Sequence, residues 1–253
     1  MLLPSTEWLL LSAAIGLYLY DSIVLLYANE AVVFPSGAER WRVAFGAENL
    51  QWRKRAVLLP NPLTPHRPLY RLTWAMERVA SGAAGDPPAR QFGALGPLVW
   101  IMAIAVFGLL PCALFSRWHD LLIVATLICF YTAALLAFVY LWRHRQRFHC
   151  SRRLFLHLLF ESLTCPPFAL NLIRHLALQQ EQTAELVSAC QRWQTPADWA
   201  MTRPLLIARL EDELSWADGH SRFAAGLRQA IAGLESSSPD KRPGRSANEG
   251  EAR

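Results

Sequence analysis

Two stretches of the chain are apolar without interruption. Pro97–Phe115 and Leu121–Trp142 contain no charged residue. Each is about 20 residues, and at ~1.5 Å of rise per residue such a helix crosses a hydrocarbon core of ~30 Å. Only Ser116-Arg117-Trp118-His119-Asp120 separates them, so residues 94–142 are expected to form a transmembrane hairpin. Trp118 and Trp142 bracket the second helix, as interfacial aromatics do. Pro111 should bend the first.

A third apolar segment, Trp8–Tyr27, opens the chain. Only Glu7 comes close before it and no small-x-small cleavage site follows, so it reads as a retained helix rather than a secretory signal. Residues 1–27 are therefore expected to supply a third span. Asp21 is its one charged member, ~20 Å of helix rise beyond Trp8. A carboxylate at that depth marks a function or a buried partner. On a continuing helix, Asn29 would share its face, with Glu30 adjoining.

Residues 28–93 are polar. Trp41, Val43 and Phe45 alternate, and Leu50 and Trp52 resume the alternation after Gly46–Asn49. The pattern predicts a small β-hairpin ending near Leu59. Pro60–Pro68 holds four prolines in nine residues, which makes it a stiff extended connector. A short helix is expected over Leu69–Ala80, from Leu69, Leu72, Met76 and Val79 on one stripe. Ser81–Arg90 reads as a linker.

Beyond the hairpin, residues 143–178 open with Arg143, Arg145, Arg147, Arg152 and Arg153 and no acid among them. Leu154–Leu178 is apolar, but His157, Glu161, Asn171, Arg174 and His175 interrupt it and Pro166-Pro167 breaks it. Two half-helices, interfacial or re-entrant, fit better than a span. Residues 179–235 read as a helical region in water, with one helix opening at Thr202 and carrying Pro204 in its first turn. Another covers Phe223–Leu234. Residues 236–253, rich in Ser, Pro, Gly and charge, read as a disordered tail. The fold class is thus mainly α: an integral membrane protein with three transmembrane helices, a broken interfacial or re-entrant helix pair and a small cytosolic β-hairpin.

Charge sets the orientation. Residues 28–93 hold nine Lys or Arg and 143–253 hold fifteen, against Arg117 alone in the hairpin turn and none before Trp8. Three spans put both basic regions on one side, and the positive-inside rule places that side in the cytosol, with the N-terminus outside. Only Lys54 and Lys241 of the 25 basic residues are lysine, a bias expected of a GC-rich bacterial genome and hence of a bacterial inner (plasma) membrane. The composition, 53% hydrophobic with mean hydropathy +0.18, suits a membrane protein with polar appendages. Cys112 and Cys129 lie in the hairpin, and Cys150, Cys165 and Cys190 show no C-x-x-C spacing, so no disulfide framework is expected.

The chain lacks phosphate loops, dinucleotide glycines, nucleophile elbows and H-E-x-x-H. The candidate polar centre is Asp21, Asn29, Glu30, His157 and Glu161. His157 and Glu161 stand at i,i+4, and Cys165 or His175 could complete a metal site with them. That spacing is common, and mutual pairing is the simpler expectation, so neither a metal nor a cofactor is assigned. His66, Arg67 and Arg71, with Arg143, Arg145, Arg147, Arg152, Arg153 and Arg174, could contact anionic lipid headgroups or a phosphate. Nucleic acid fits poorly, because the basic residues hug the membrane. The favoured function is a membrane anchor, scaffold or accessory subunit presenting a cytosolic platform to a protein partner or a second copy. The alternative is a membrane enzyme or transporter acting on a lipid or small anionic substrate at the cytosolic interface. Close packing of Asp21 against Asn171 or Arg174 would favour that alternative.

Overall fold

The computed structural model describes residues 5–37, 40–53, 55–74, 91–180, 185–216 and 222–236. The chain is mostly helical, with two three-stranded antiparallel sheets. It divides into two compact units, the first ending at Thr195 and the second beginning at Pro196.

Helix α1, Thr6–Ser22, opens the first unit. It is 17 residues long, about 25 Å. It stops where Ile23 turns extended (φ −68°, ψ 128°), because the β-branched Ile23-Val24 pair favours a strand over another helical turn. Val24–Leu26 is strand β1. Asn29 therefore does not share a helix face with Asp21. It is exposed in a tight turn that Glu30 N–H closes onto the Tyr27 carbonyl at 3.0 Å.

Strands β2 (Glu30–Pro35), β3 (Trp41–Ala44), β4 (Ala47–Trp52), β5 (Arg55–Leu58) and β6 (Tyr70–Thr73) follow. One sheet runs β1-β5-β4 and the other β3-β2-β6. The expected hairpin is corrected here. The two alternating runs lie in different sheets: Val43 stands opposite Val33, whereas β4, which carries Leu50 and Trp52, pairs with β5 in a hairpin that ends at Leu58. The helix expected from Leu69 is also corrected. Tyr70, Leu72 and Trp74 are buried and alternate with Arg71 and Thr73, a period of two that matches the strand. The leucine spacing alone fits both periods. Positions 75–90 lie outside the described residues. Val24, Leu26, Val32 and Leu69 form a core between the sheets, with Phe34, Leu58 and Leu178 against it.

Among the described residues, two segments are long and apolar enough to cross a bilayer, Gly96–Leu114 and Asp120–Arg143. The first comprises α2 (Gly96–Ile104), a π-helical turn (Ala105–Leu109) and α3 (Leu110–Leu114). Pro111 explains the wide turn. It lacks an N–H and crowds the carbonyl one turn back, so the ladder opens and Leu110 N–H reaches the Ala105 carbonyl. The second segment lies in α4, His119–Arg143. Only 33% of either segment is buried, so most of their apolar surface, including Leu121, Ile128 and Leu135, faces outward. Thr126 hydroxyl donates to the Leu122 carbonyl at 2.7 Å, staying within its own helix.

The stretch after the basic run is broken as the proline pair predicts. Helix α5, Arg152–Thr164, starts under the Ser151 hydroxyl, which accepts from Leu154 N–H at 3.1 Å. Cys165 is extended ahead of Pro166. Then come α6 (Pro166–Ala169) and α7 (Leu172–Leu178). Helix α8, Leu186–Trp193, sets Trp193 against Trp41 with centroids 5.3 Å apart.

In the second unit, α9 (Pro196–Trp216) packs on α10 (Arg222–Ser236). Helix α9 begins earlier than Thr202, because Pro196 serves as its first residue. Pro204 lies inside the helix rather than in its first turn. Positions 237–253 lie outside the described residues.

Candidate functional site

The last turn of α1 carries Tyr18, Asp21 and Ser22. Helix α7 and the residue before it carry Asn171, Arg174 and His175 at i, i+3 and i+4, which share one face. The two sets meet. Asn171 Nδ2 donates to Asp21 Oδ2 at 2.9 Å and to Ser22 Oγ at 3.0 Å. His175 Nε2 lies 3.0 Å from Asp21 Oδ2 and 3.1 Å from Oδ1. Ser22 hydroxyl donates to the Tyr18 carbonyl at 2.8 Å.

Arg174 fastens this cluster to the proline connector. Its Nη1 donates to Asn171 Oδ1 at 3.0 Å and to Ser22 Oγ at 3.2 Å. Its Nη2 donates to the carbonyls of Asn61 at 2.6 Å and Thr64 at 3.1 Å. A tight turn presents those carbonyls: Thr64 N–H bonds the Asn61 carbonyl and Arg67 N–H bonds that of Thr64, both at 3.2 Å. Tyr18 hydroxyl donates to the Pro62 carbonyl of the same connector. Arg174 is 3% exposed. Burial pushes its guanidinium below the ordinary arginine value, while Tyr18 and Asp21 pull it back up. It stays charged, because arginine is not deprotonated in proteins.

A cleft of about 300 Å³ opens beside the cluster, with Asp21, Arg55, Arg71, Arg174 and His175 in its walls. Arg71 Nη1 is 3.7 Å from Glu30 Oε2. The Arg71 and Arg174 Nε atoms are buried without a hydrogen-bond partner. Arg55 stacks over the Tyr27 ring, 4.2 Å from its centroid, and donates to the Tyr27 hydroxyl. Three guanidiniums thus face two carboxylates, leaving an excess of positive charge before His175 is counted.

The sequence-level candidates divide. Asp21, Arg71 and Arg174 lie at the cleft, and Glu30 joins it through Arg71. His157 and Glu161 pair with each other at 3.2 Å on α5, where the His157 side chain is 65% exposed, and neither lines the cleft. Arg143, Arg147, Arg152 and Arg153 are exposed, and Arg145 lies over Trp142 at 4.7 Å. None of these five lines the cleft. His66 stacks on Trp100 with centroids 5.3 Å apart, and its Nδ1 is buried without a partner. Burial, then Arg67 and Arg174, hold the His66 imidazole below its ordinary value, so it is neutral at pH 7. Arg67 lines a smaller cavity of about 150 Å³ on the other side of Arg174. No protein-family model, curated protein or solved structure matches the chain.

Sequence reasoning missed Ser22, Arg55 and the pairing of His175 with Asp21. One signal could have found the last. Asn171, Arg174 and His175 form a single polar face inside an otherwise apolar stretch, and such a face needs a polar partner. Chemically the cluster suits binding. Ser22 has committed its proton to a carbonyl, and the nearby Cys165 thiol is held above its ordinary value, chiefly by burial, so neither is an activated nucleophile. Among the described residues, no group of three His, Cys, Asp or Glu side chains could hold a metal ion.

Proposed function

We propose that this chain is a multi-pass protein of the bacterial inner membrane whose cleft binds an anionic ligand, a headgroup or small anion, at the cytosolic interface. The observation that carries this is the convergence of Arg55, Arg71, Arg174 and His175 on one cavity where, among the described residues, Asp21 is the only lining carboxylate. A net positive, partly enclosed site favours an oxyanion. Helix α1 serves as a third span beside the two longer ones, its exposed Trp8, Leu9 and Leu10 facing lipid. Helix α5 lies in the interface, with Leu156, Phe160 and Leu163 exposed on one side and the Arg143–Arg153 run against anionic headgroups. The N-terminus is then outside and the C-terminus cytosolic.

The test is calorimetric titration of glycerol phosphate into the purified protein, with glycerol as the neutral control. Saturable binding of the phosphate alone is expected, weakened by salt and by Arg55→Gln with Arg71→Gln. Absence of saturation, or indifference to both substitutions, would refute the proposal. Reporter fusions at Ser116 and at the C-terminus test the orientation, and an external C-terminus would overturn it.

A second reading, a platform for a protein partner or a second copy, rests on α9. Its Met201, Leu205 and Trp216 are 62%, 54% and 85% exposed, more apolar surface than a solvated helix needs. Behaviour as a lone monomer that co-isolates with nothing in mild detergent would remove it.

A further inference from the structure

We infer that the ligand is an amphiphile, with its anionic head in the Asp21–Arg71–Arg174 cleft and one acyl chain in an apolar groove beside α1. This rests on the anion-binding proposal above and adds the chemical class of the ligand. The groove measures about 580 Å³, within the ~300–1,000 Å³ of small-molecule sites. Ile15 and Leu19 of α1, Pro62 of the connector, and Trp100, Phe107 and Gly108 of the first apolar segment line it.

Two elements join groove to cleft. Along α1, Ile15, Tyr18 and Ser22 share one face. The first two line the groove and Ser22 lines the cleft, one turn of ~5.4 Å further on. The connector does the same. Pro62 and Pro65 line the groove, while the Asn61 and Thr64 carbonyls between and beside them hold Arg174 of the cleft. Groove and cleft therefore border the same two elements, apolar beside the long hydrophobic helices and cationic where α1 ends, with the buried Tyr18, Ser22 and Arg174 between them. A lipid has that same order of tail and head.

The cleft end holds two buried donors without acceptors, Nε of Arg71 and Nε of Arg174. Neither Nε is accessible from the cleft, but the Arg71 side chain in its wall is 35% exposed, so its guanidinium can meet headgroup oxygens. The groove end is open at Ile15, Trp100 and Ile104, which are 40%, 43% and 55% exposed. Trp100 and Ile104 lie along a segment long and apolar enough to span a bilayer, where hydrocarbon chains surround a protein. The chain is therefore the occupant that the location supplies.

The experiment compares lysophosphatidylglycerol with glycerol phosphate, by titration of the intact protein in a steroid-based detergent that carries no alkyl chain. The lysolipid is expected to bind at least about tenfold more tightly. Gly108→Leu fills the groove; a Cβ there meets nothing nearer than Ile104 Cγ2 at 3.8 Å, and an unchanged melting temperature checks that the fold is kept. It should weaken the lysolipid by about tenfold and leave glycerol phosphate unchanged. Equal binding of the two probes by the parent, or a Gly108→Leu variant that keeps full lysolipid affinity, overturns the inference while leaving the anion cleft standing. Loss of neither probe on Arg55→Gln and Arg71→Gln overturns the cleft itself, and the inference with it.

Discussion

Replacing Arg174 by methionine keeps the length of the side chain and removes its guanidinium. Four hydrogen bonds go with it, two to backbone carbonyls at 2.6 and 3.1 Å and two to Asn171 and Ser22 at 3.0 and 3.2 Å. Hydrogen bonds to a charged group are worth about 1.5–3 kcal/mol each, but their sum overstates the loss, because burying the guanidinium itself costs several kcal/mol. Removing one member of a buried charged network costs about 3–5 kcal/mol. At ~2–4 °C per kcal/mol for a chain of this size, the apparent Tm should fall by about 6–20 °C. Arg174→Lys should fall between, because one ammonium cannot reach both carbonyls and Asn171 together. Tryptophan fluorescence on heating in detergent reads the Tm. Thermolysin cleavage at the exposed Leu63 reads release of the connector and should quicken in the methionine variant. A methionine variant melting within about 2 °C of the parent, less than ~1 kcal/mol, with the connector still protected, would refute the role given to Arg174.

Gly46→Ala should destabilise by about 1–3 kcal/mol, because its Cβ would stand 2.9 Å from the Ala56 carbonyl carbon. Gly96→Ala, with nothing within 4 Å, is the control, and equal melting of the two variants would contradict this packing. The depressed His66 value means the unfolded chain binds the extra proton, so stability should be full above ~pH 6.5 and fall as the pH drops below it. His66→Phe, which keeps the ring on Trp100, should flatten that acid limb in Tm measured from pH 7 to 5. The Glu185 carboxyl is raised, chiefly by burial, so the folded state holds its proton longer and stability should decline as pH rises above ~4.3. Glu185→Gln should be more stable at pH 7 by less than about 1 kcal/mol, given its partial exposure, and level with the parent at pH 4. A pH-independent gap would sink this assignment.

The apolar hairpin was legible because its signal is length, which needs no partner. The break at Pro166-Pro167 was legible because proline acts locally. The sheets were not. Strands of three to six residues carry too few alternations, and Leu69 and Leu72 fit a helix as well as a strand. Pairing of β2 with β6 decided between them, a contact between residues some 40 apart along the chain. The stripe from Asp21 to Asn29 failed for a related reason. It assumed that apolar residues after Ser22 continue the helix, whereas Val24–Leu26 is claimed by β5. At the site, the cost expected of a carboxylate inside an apolar segment singled out Asp21. Its partners Asn171 and His175 could be noticed as misplaced polar residues, but their convergence depends on the turn at Cys165, which spacing does not encode.

The bond between Asp21 and Asn171 closes a separation of 150 residues, and this bears on how the protein is made. Synthesis at ~5–20 residues per second takes about 8–30 s to cover that interval. Throughout it, α1 has left the ribosome with its carboxylate and Ser22 lacking the residues that will satisfy them. The connector likewise waits for Arg174. A nascent chain arrested before Asn171 should therefore hold α1 loosely and expose the connector to protease, and the same chain arrested well beyond His175 should lock both at once. Assembly of the first unit is, on this architecture, one late event rather than a helix-by-helix accumulation.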